Sequence, residues 1–276
     1  MSTGLLRAGR VVLLGVLVVF SLAPFQWMLV ASLKPGDEQL ISGNPWWTAS
    51  PDWANYARLL ERGSSFRYWA ANTLIVLVAT LVISLVASVM AAYALAHLDP
   101  PLRLSLPVAL FATYLLPQGV LFLPLVGMLS RAHLLNSLWA LVLTYPGLVI
   151  PFGTWVLWNF FRALPRDMVD LARVEGAGTI AILLRLLLRP AAPALATVAL
   201  FTVAIVFNDY LYAFAFVTDE RSQTIVAALG STSTDIADAG AIFAGVLIGL
   251  APIALLCAFF AESYGRGLTA GIADAG

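Results

Sequence analysis

Few side chains in this sequence could do chemistry, and their spacing mostly rules it out. Lys34 is the single lysine among fifteen basic residues and stands between Leu33 and Pro35. A glycine-rich loop ending in Gly-Lys-Ser/Thr, which would cradle a nucleotide's phosphates, therefore cannot be built. The only histidines, His97 and His133, form no His-Glu-x-x-His zinc helix, and each reads as an interfacial residue. There is no Gly-x-Ser-x-Gly elbow for a nucleophilic serine. Cys257, the one cysteine, lies in an apolar run and can make neither an internal disulfide nor a multi-cysteine metal site. These exclusions leave no enzyme. One carboxylate stands out: Asp209 sits within an apolar, aromatic segment beside Asn208, Tyr210 and Tyr212. Burying its charge is costly unless it is paired or hydrated. Asp209 therefore either lines a polar path with Asn208, Tyr210 and Tyr212 or makes a structural hydrogen bond between helices. A carrier driven by protons or sodium would hold several such groups. One is few, so energy is expected from another subunit.

The charged residues gather in one insert, 162–193, between two apolar segments. Pro165 can open a helix at no hydrogen-bonding cost. Met168, Leu171 and Ala172 then fall on one face, with Asp167 and Asp170 on a neighbouring one. Gly176 and Gly178 permit the left-handed backbone that ends a helix, and Thr179 could cap a second one. That second helix would put Ile180, Leu183, Leu184 and Leu187 on one side, before Pro190 and Pro193 interrupt it. A short helix, a glycine turn and another helix make a docking element.

The elements that carry these residues follow from composition. The chain has 276 residues, 61% hydrophobic and 11% charged, where soluble proteins average about 25% charged. Runs of roughly 20 apolar residues indicate a multi-pass membrane protein. The formal net charge is zero, so no basic patch invites nucleic acid. Spans are expected at about 11–33, 72–96, 104–129, 138–161, 195–217 and 239–261. The first is read as a retained span, since no small-x-small cleavage site follows it. A short surface helix is expected around 55–62, after the tryptophan-rich segment with Trp46, Trp47 and Trp53. Pro107, Pro117 and Pro124 in the third span suggest a bent helix beside a cavity. With no internal repeat or linker, the chain reads as one six-span all-α domain, 1–276. If the N-terminus is cytoplasmic, nine basic residues fall inside, five of them in the insert, against six outside. The insert and the C-terminus are then cytoplasmic too.

At this point a resemblance enters. From Pro165 the chain reads Pro-Arg-Asp-Met-Val-Asp-Leu-Ala-Arg-Val-Glu-Gly-Ala, followed by Arg189-Pro190-Ala191-Ala192-Pro193. This resembles the "EAA" loop of bacterial ABC-importer permeases, especially the carbohydrate-uptake group typified by the maltose permease G-type subunit. Ser32-Leu33-Lys34-Pro35, Asn72-Thr73, Ala91-Ala92-Tyr93-Ala94, Phe207-Asn208-Asp209 and Gly267-Leu268-Thr269-Ala270-Gly271 resemble further family signatures in the right order. The namesake glutamate falls on Asp170 and the alanines on Leu171 and Ala172. Asp274 stands where family tails often carry lysine, which bears on any contact between the tail and the ATPases. The resemblance implies a MetI-like permease fold in the bacterial plasma (inner) membrane, with both termini cytoplasmic. It implies that the coupling loop docks an ATPase through Asp167, Met168, Asp170, Leu171, Ala172, Glu175, Gly176 and Ala177. Expected partners are a second homologous permease chain, two copies of a cytoplasmic ABC ATPase, an extracytoplasmic solute-binding (lipo)protein and membrane lipid. No cofactor is expected on this chain, because ATP and Mg would be used by the partner ATPase. The implied cargo is a sugar or related carbohydrate. The alternatives are another solute (glycerol phosphate or an amino acid) or a stand-alone secondary carrier.

Overall fold

The computed structural model describes residues 2–35, 44, 46–61, 65–96, 102–231, 240–251, 254–255 and 258. Expectations resting on His97, Cys257, Arg266, Asp274 and the 267–271 signature lie outside these residues. Every regular element among the described residues is helical. In order they are α1 (Ser2–Ser32), α2 (Ala54–Leu60), α3 (Phe66–Ala96), α4 (Leu102–Tyr114), α5 (Gln118–Arg131) and α6 (Leu138–Ala163). Then follow α7 (Arg166–Val174), α8 (Thr179–Ala181), which runs on as a π-helical turn Ile182–Leu187, and α9 (Ala192–Asn208). Helices α10 (Leu211–Phe216), α11 (Ile225–Ser231) and α12 (Gly240–Ala251) complete the described chain.

By contact the chain forms two compact units, Met1–Arg67 with Leu229–Ala251, and Tyr68–Ala228 with Pro252–Gly276. In the first unit, the apolar side chains of α1 from Val11 to Phe20 are exposed around the whole helix, as on a span surrounded by hydrocarbon. Its end is fastened by α2. Asn55 Nδ2 donates to the carbonyls of Ser32 at 2.9 Å and Lys34 at 3.1 Å, and Ser32 Oγ and Tyr56 OH lie 2.8 Å apart. These bonds satisfy carbonyls that a helix end leaves without partners. They give the Ser32-Leu33-Lys34-Pro35 signature its physical sense. Asn55 is buried, so α2 is anchored to the end of the span and does not simply lie on a surface.

In the second unit, α6 is the central helix. Tyr145, Val149, Leu157 and Trp158 are fully buried along it, and at Gly153 it lies close against its neighbours. A Cβ on Gly153 would meet Ser88 Oγ of α3 at 2.6 Å and Val198 Cγ1 of α9 at 3.0 Å. Thr80, Ser84, Ser88 and Ala92 continue one buried stripe of small residues along α3, the pattern by which spans pack closely. The opposite face carries exposed Leu74, Ile75, Val78, Val82, Val86 and Met90.

Two expected spans are interrupted. The third is α4 and α5, bent by 85° at 115–117. Of its three prolines only Pro117 makes the break; Pro107 and Pro124 lie inside helices. Pro117 has an extended ψ of 129°, so the helix ends before it and α5 starts afresh at Gln118. The fifth expected span starts at Ala192 and stops at Asn208, and α10 begins afresh at Leu211. Among the described residues, three helices are long and apolar enough to cross a membrane, or up to five if two bent pairs, α4 with α5 and Thr179–Leu187 with α9 (91°), each count as one span. Helix α12 is a shorter apolar helix within the sixth expected span.

Candidate functional site

The insert folds as helix, turn, helix, and its turn is a backbone motif readable atom by atom. Gly176 adopts φ +85°, the left-handed conformation. The Gly176 N–H donates to the Arg173 carbonyl and the Ala177 N–H to the Ala172 carbonyl, both at 2.9 Å. This pair of bonds is a Schellman C-cap, with Gly176 at the position that needs no Cβ. Gly178 does not share that role: its φ is −69° and it stands before Thr179, which begins α8 without capping it by its side chain.

The apolar residues of α7 divide between two faces. Val169 is buried, and Met168, Ala172 and Ala177 are half-buried, against a core cluster that includes Tyr93, Trp158, Phe161, Ile182 and Leu187. Leu171 is 64% exposed and Val174 86%. The expected set Met168, Leu171 and Ala172 is therefore split, because Met168 and Ala172 hold α7 to its own unit while Leu171 points away. The outward ridge is Asp167, Asp170, Leu171 and Val174, with Glu175 exposed beyond it. The second helix divides likewise. A π-type bond from the Leu188 N–H to the Leu183 carbonyl widens the turn and brings Ile182 and Leu187 both inward. Ile180 (73% exposed) and Leu184 (61%) remain outside. Both helices thus present uncovered apolar side chains beside charged ones. Ile180 and Leu184 were placed from sequence on one side with Leu183 and Leu187, but only the first two are exposed, and Val174 was not singled out. Leu171 to Val174 is an i, i+3 step that could have marked Val174.

Two polar contacts frame α7. Arg173 Nη2 donates to Tyr93 OH at 3.2 Å, and Arg173 Nη1 lies 4.0 Å from Asp170 Oδ1. At the end of α6, the Arg162 guanidinium lies 4.7 Å over the Trp158 ring.

The second candidate group lies where α9 gives way to α10. Asp209 is buried; its carboxylate accepts from Tyr145 OH at 2.9 Å and from the Tyr212 N–H at 3.3 Å. The second bond places the side chain at the open start of α10, where an acceptor satisfies a backbone donor. Tyr212 is fully buried in a three-ring cluster with Phe122 and Phe216, and donates its hydroxyl to the Gln118 carbonyl at 2.6 Å. That carbonyl belongs to the first residue of α5, just past the Pro117 break. The hydroxyl therefore ties the two interrupted spans together. Asn208 and Tyr210 are exposed, and Tyr210 stacks on exposed Phe214 at 5.2 Å. Of the four path candidates, Asp209 and Tyr212 are engaged in the framework and Asn208 and Tyr210 are accessible. Tyr145 and Gln118 were missed in the sequence. A tyrosine within an apolar span needs a partner for its hydroxyl, and that was the available signal for Tyr145.

At the start of α3, Asn72 Nδ2 donates to the carbonyls of Arg221 (2.8 Å) and Gln223 (3.0 Å). Trp69 Nε1 donates to the Glu220 carbonyl at 2.7 Å, and the Ile225 N–H donates to Thr73 Oγ1 at 2.9 Å. The Asn72-Thr73 signature thus holds the segment between α10 and α11.

With this geometry in place, comparison with known proteins is informative. Residues 84–268 match the family described as "Binding-protein-dependent transport system inner membrane component". The sulfoquinovosyl glycerol transport system permease protein SmoH of Agrobacterium fabrum is 28% identical, over 95% of this chain and 92% of that one. The trehalose/maltose transport system permease protein MalG of Thermococcus litoralis is 27% identical, over 92% of each. The trehalose transport system permease protein SugB of Mycobacterium tuberculosis is 31% identical, over 97% and 98%. A solved structure of a bacterial ABC transporter involved in import of the acidic polysaccharide alginate shares the fold. Its chain superposes with a TM-score of 0.79 at 21% identity, covering 96% of this chain and 98% of that one.

Proposed function

The chain belongs to the family of binding-protein-dependent transport system inner membrane components, and from that premise we propose that it carries a sugar or related carbohydrate across the inner membrane as one permease half of an ATP-driven importer. It is a membrane-spanning ABC-transporter permease. The carbohydrate cargo is supported by the trehalose, maltose and sulfoquinovosyl glycerol systems to which its relatives belong.

In this reading the insert is the coupling loop and faces the cytoplasm, as do both termini. A separate ATPase uses ATP and Mg, and two copies serve this chain and a second, homologous permease. An extracytoplasmic binding protein delivers cargo. The observation that carries the docking role is the outward apolar pair Leu171 and Val174 on α7, followed by exposed Ile180 and Leu184 on the next helix. Exposed apolar side chains gathered on a charged element mark an interaction surface. Asp167, Asp170 and Glu175 border that surface and can pair with basic residues of the ATPase. Met168, Ala172 and Ala177 serve the same end from behind, holding the helix so that force on the ridge reaches the spans. Gly176 sets the angle between the two helices. Along the path, Asn208 and Tyr210 are the residues that cargo can touch, with Asp209 and Tyr212 as their support.

The test is a pull-down of the tagged chain in mild detergent. Wild type is expected to bring down an ATPase. Leu171→Asp with Val174→Asp, Asp170→Arg and Gly176→Pro should each lose it, the last because proline cannot adopt a positive φ. Met168→Ala should retain most of it. Recovery of the chain alone, with ion-driven uptake by reconstituted protein, would replace this reading with that of a secondary carrier.

A further inference from the structure

Helix α7 is joined to the rest of its own unit by two kinds of contact. Val169, Met168 and Ala172 pack against the core cluster, and such apolar contact is non-directional. The other kind is directional. Arg173 Nη2 donates to Tyr93 OH at 3.2 Å, across 80 residues of sequence. Tyr93 is buried, one turn from the end of α3 at Ala96, so a movement of its hydroxyl is a movement of that helix end. The same guanidinium reaches back to its own helix, with Nη1 at 4.0 Å from Asp170 Oδ1. The Arg173 and Asp170 side chains are 48% and 68% exposed, and a pair so exposed adds little stability. A planar guanidinium aims its donors in fixed directions, and an ammonium on a flexible stem would hold the Tyr93 hydroxyl far less rigidly.

We propose that Arg173 is a positioning residue that carries displacement of α7 to the end of α3 through the Tyr93 hydroxyl, with Asp170 an ionic neighbour on the same helix. The proposal rests on the docking reading above and adds the route by which docking reaches the second span. It also gives Tyr93, within the Ala91-Ala92-Tyr93-Ala94 signature, a role that its ring alone would not supply. Phenylalanine would fill the same space without the hydroxyl.

The experiment uses the assembled transporter, with its other cysteines replaced and a bimane fluorophore on Met90→Cys, an exposed position of α3. The fluorescence change on adding ATP, Mg and vanadate is read in the Met90→Cys parent, Tyr93→Phe, Arg173→Ala, Arg173→Lys and the Tyr93→Phe/Arg173→Ala double variant. ATPase co-purification and the melting temperature of the complex are read beside it. The expected result is that co-purification stays unchanged and melting falls by no more than about 2–4 °C, while the ATP-driven change falls about fivefold in Tyr93→Phe and Arg173→Ala, the loss of one net hydrogen bond. Arg173→Lys should fall between, and the double variant should be no worse than either single. An ATP-driven change that survives in both singles, or losses that multiply in the double, overturns the proposal. So does loss of ATPase co-purification in the singles, which would make Arg173 a docking contact. Absence of any ATPase from the unmutated complex would instead sink the docking reading itself, and this route with it.

Discussion

A carboxylate inside an apolar span has to be accounted for partner by partner. Asp209 has a tyrosine hydroxyl on one oxygen and a backbone N–H on the other. Asp209→Ala removes the acceptor from both Tyr145 and Tyr212, and a buried donor left unmade costs about 1–3 kcal/mol. A clearly lower melting temperature of the purified chain in detergent is the expected outcome. Asp209→Asn, whose amide oxygen still accepts one bond, should lie between it and wild type. If Asp209→Ala melted like wild type yet abolished uptake, the residue would belong to the path and not to the framework. At this scale the sequence was informative wherever chemistry is local. Gly176 is legible as a helix stop because a positive φ is a property of one residue. Asp209 is legible as anomalous because its cost depends only on being apolar-flanked. Whether it faces cargo or Tyr145 depends on a helix 64 residues away in sequence, which no local pattern contains.

The elements show how far spacing carries. Apolar periodicity located the helices, but several boundaries moved. The second span begins at Phe66, and the third and fifth are each two helices. Three prolines in the third span look alike in sequence, and only Pro117 ends a helix there. The difference lies in what surrounds each proline, since neighbouring helices can accommodate a freed carbonyl in one place and not in another. Helix α6 offers a sharp test of the packing. With a Cβ contact of 2.6 Å to Ser88 Oγ and 3.0 Å to Val198, Gly153→Val should force α3 and α9 away from α6. Overpacking of this kind costs about 1–3 kcal/mol, and more where backbone must move. Folded yield on size exclusion should drop sharply for Gly153→Val and moderately for Gly153→Ala. Adding Ser88→Ala to Gly153→Ala should recover part of the loss. Unchanged yields for both Gly153 variants would mean that the three helices cross elsewhere.

For the whole molecule, the proposed orientation puts the insert in the cytoplasm and the α5–α6 loop outside. In a Cys257→Ala background, a membrane-impermeant maleimide should label Ser130→Cys in intact cells and Thr179→Cys only after lysis. Both positions are exposed, so failure to label reports sidedness, and the reverse pattern would turn the orientation over. The same labelling, moved along the chain, counts the spans. Composition alone placed this chain in a membrane, because 61% hydrophobic residues with so few charges can be satisfied only where apolar surface meets hydrocarbon or protein. The helix–turn–helix form of the insert was likewise legible, since a helix, a left-handed glycine and a second helix are written in backbone preferences that act over a few residues. Only the tertiary structure decided that Met168 and Ala172 turn inward while Leu171 and Val174 turn out, and that Asp209 is held by Tyr145. Burial depends on what stands opposite a side chain, and here those neighbours come from helices far away in sequence.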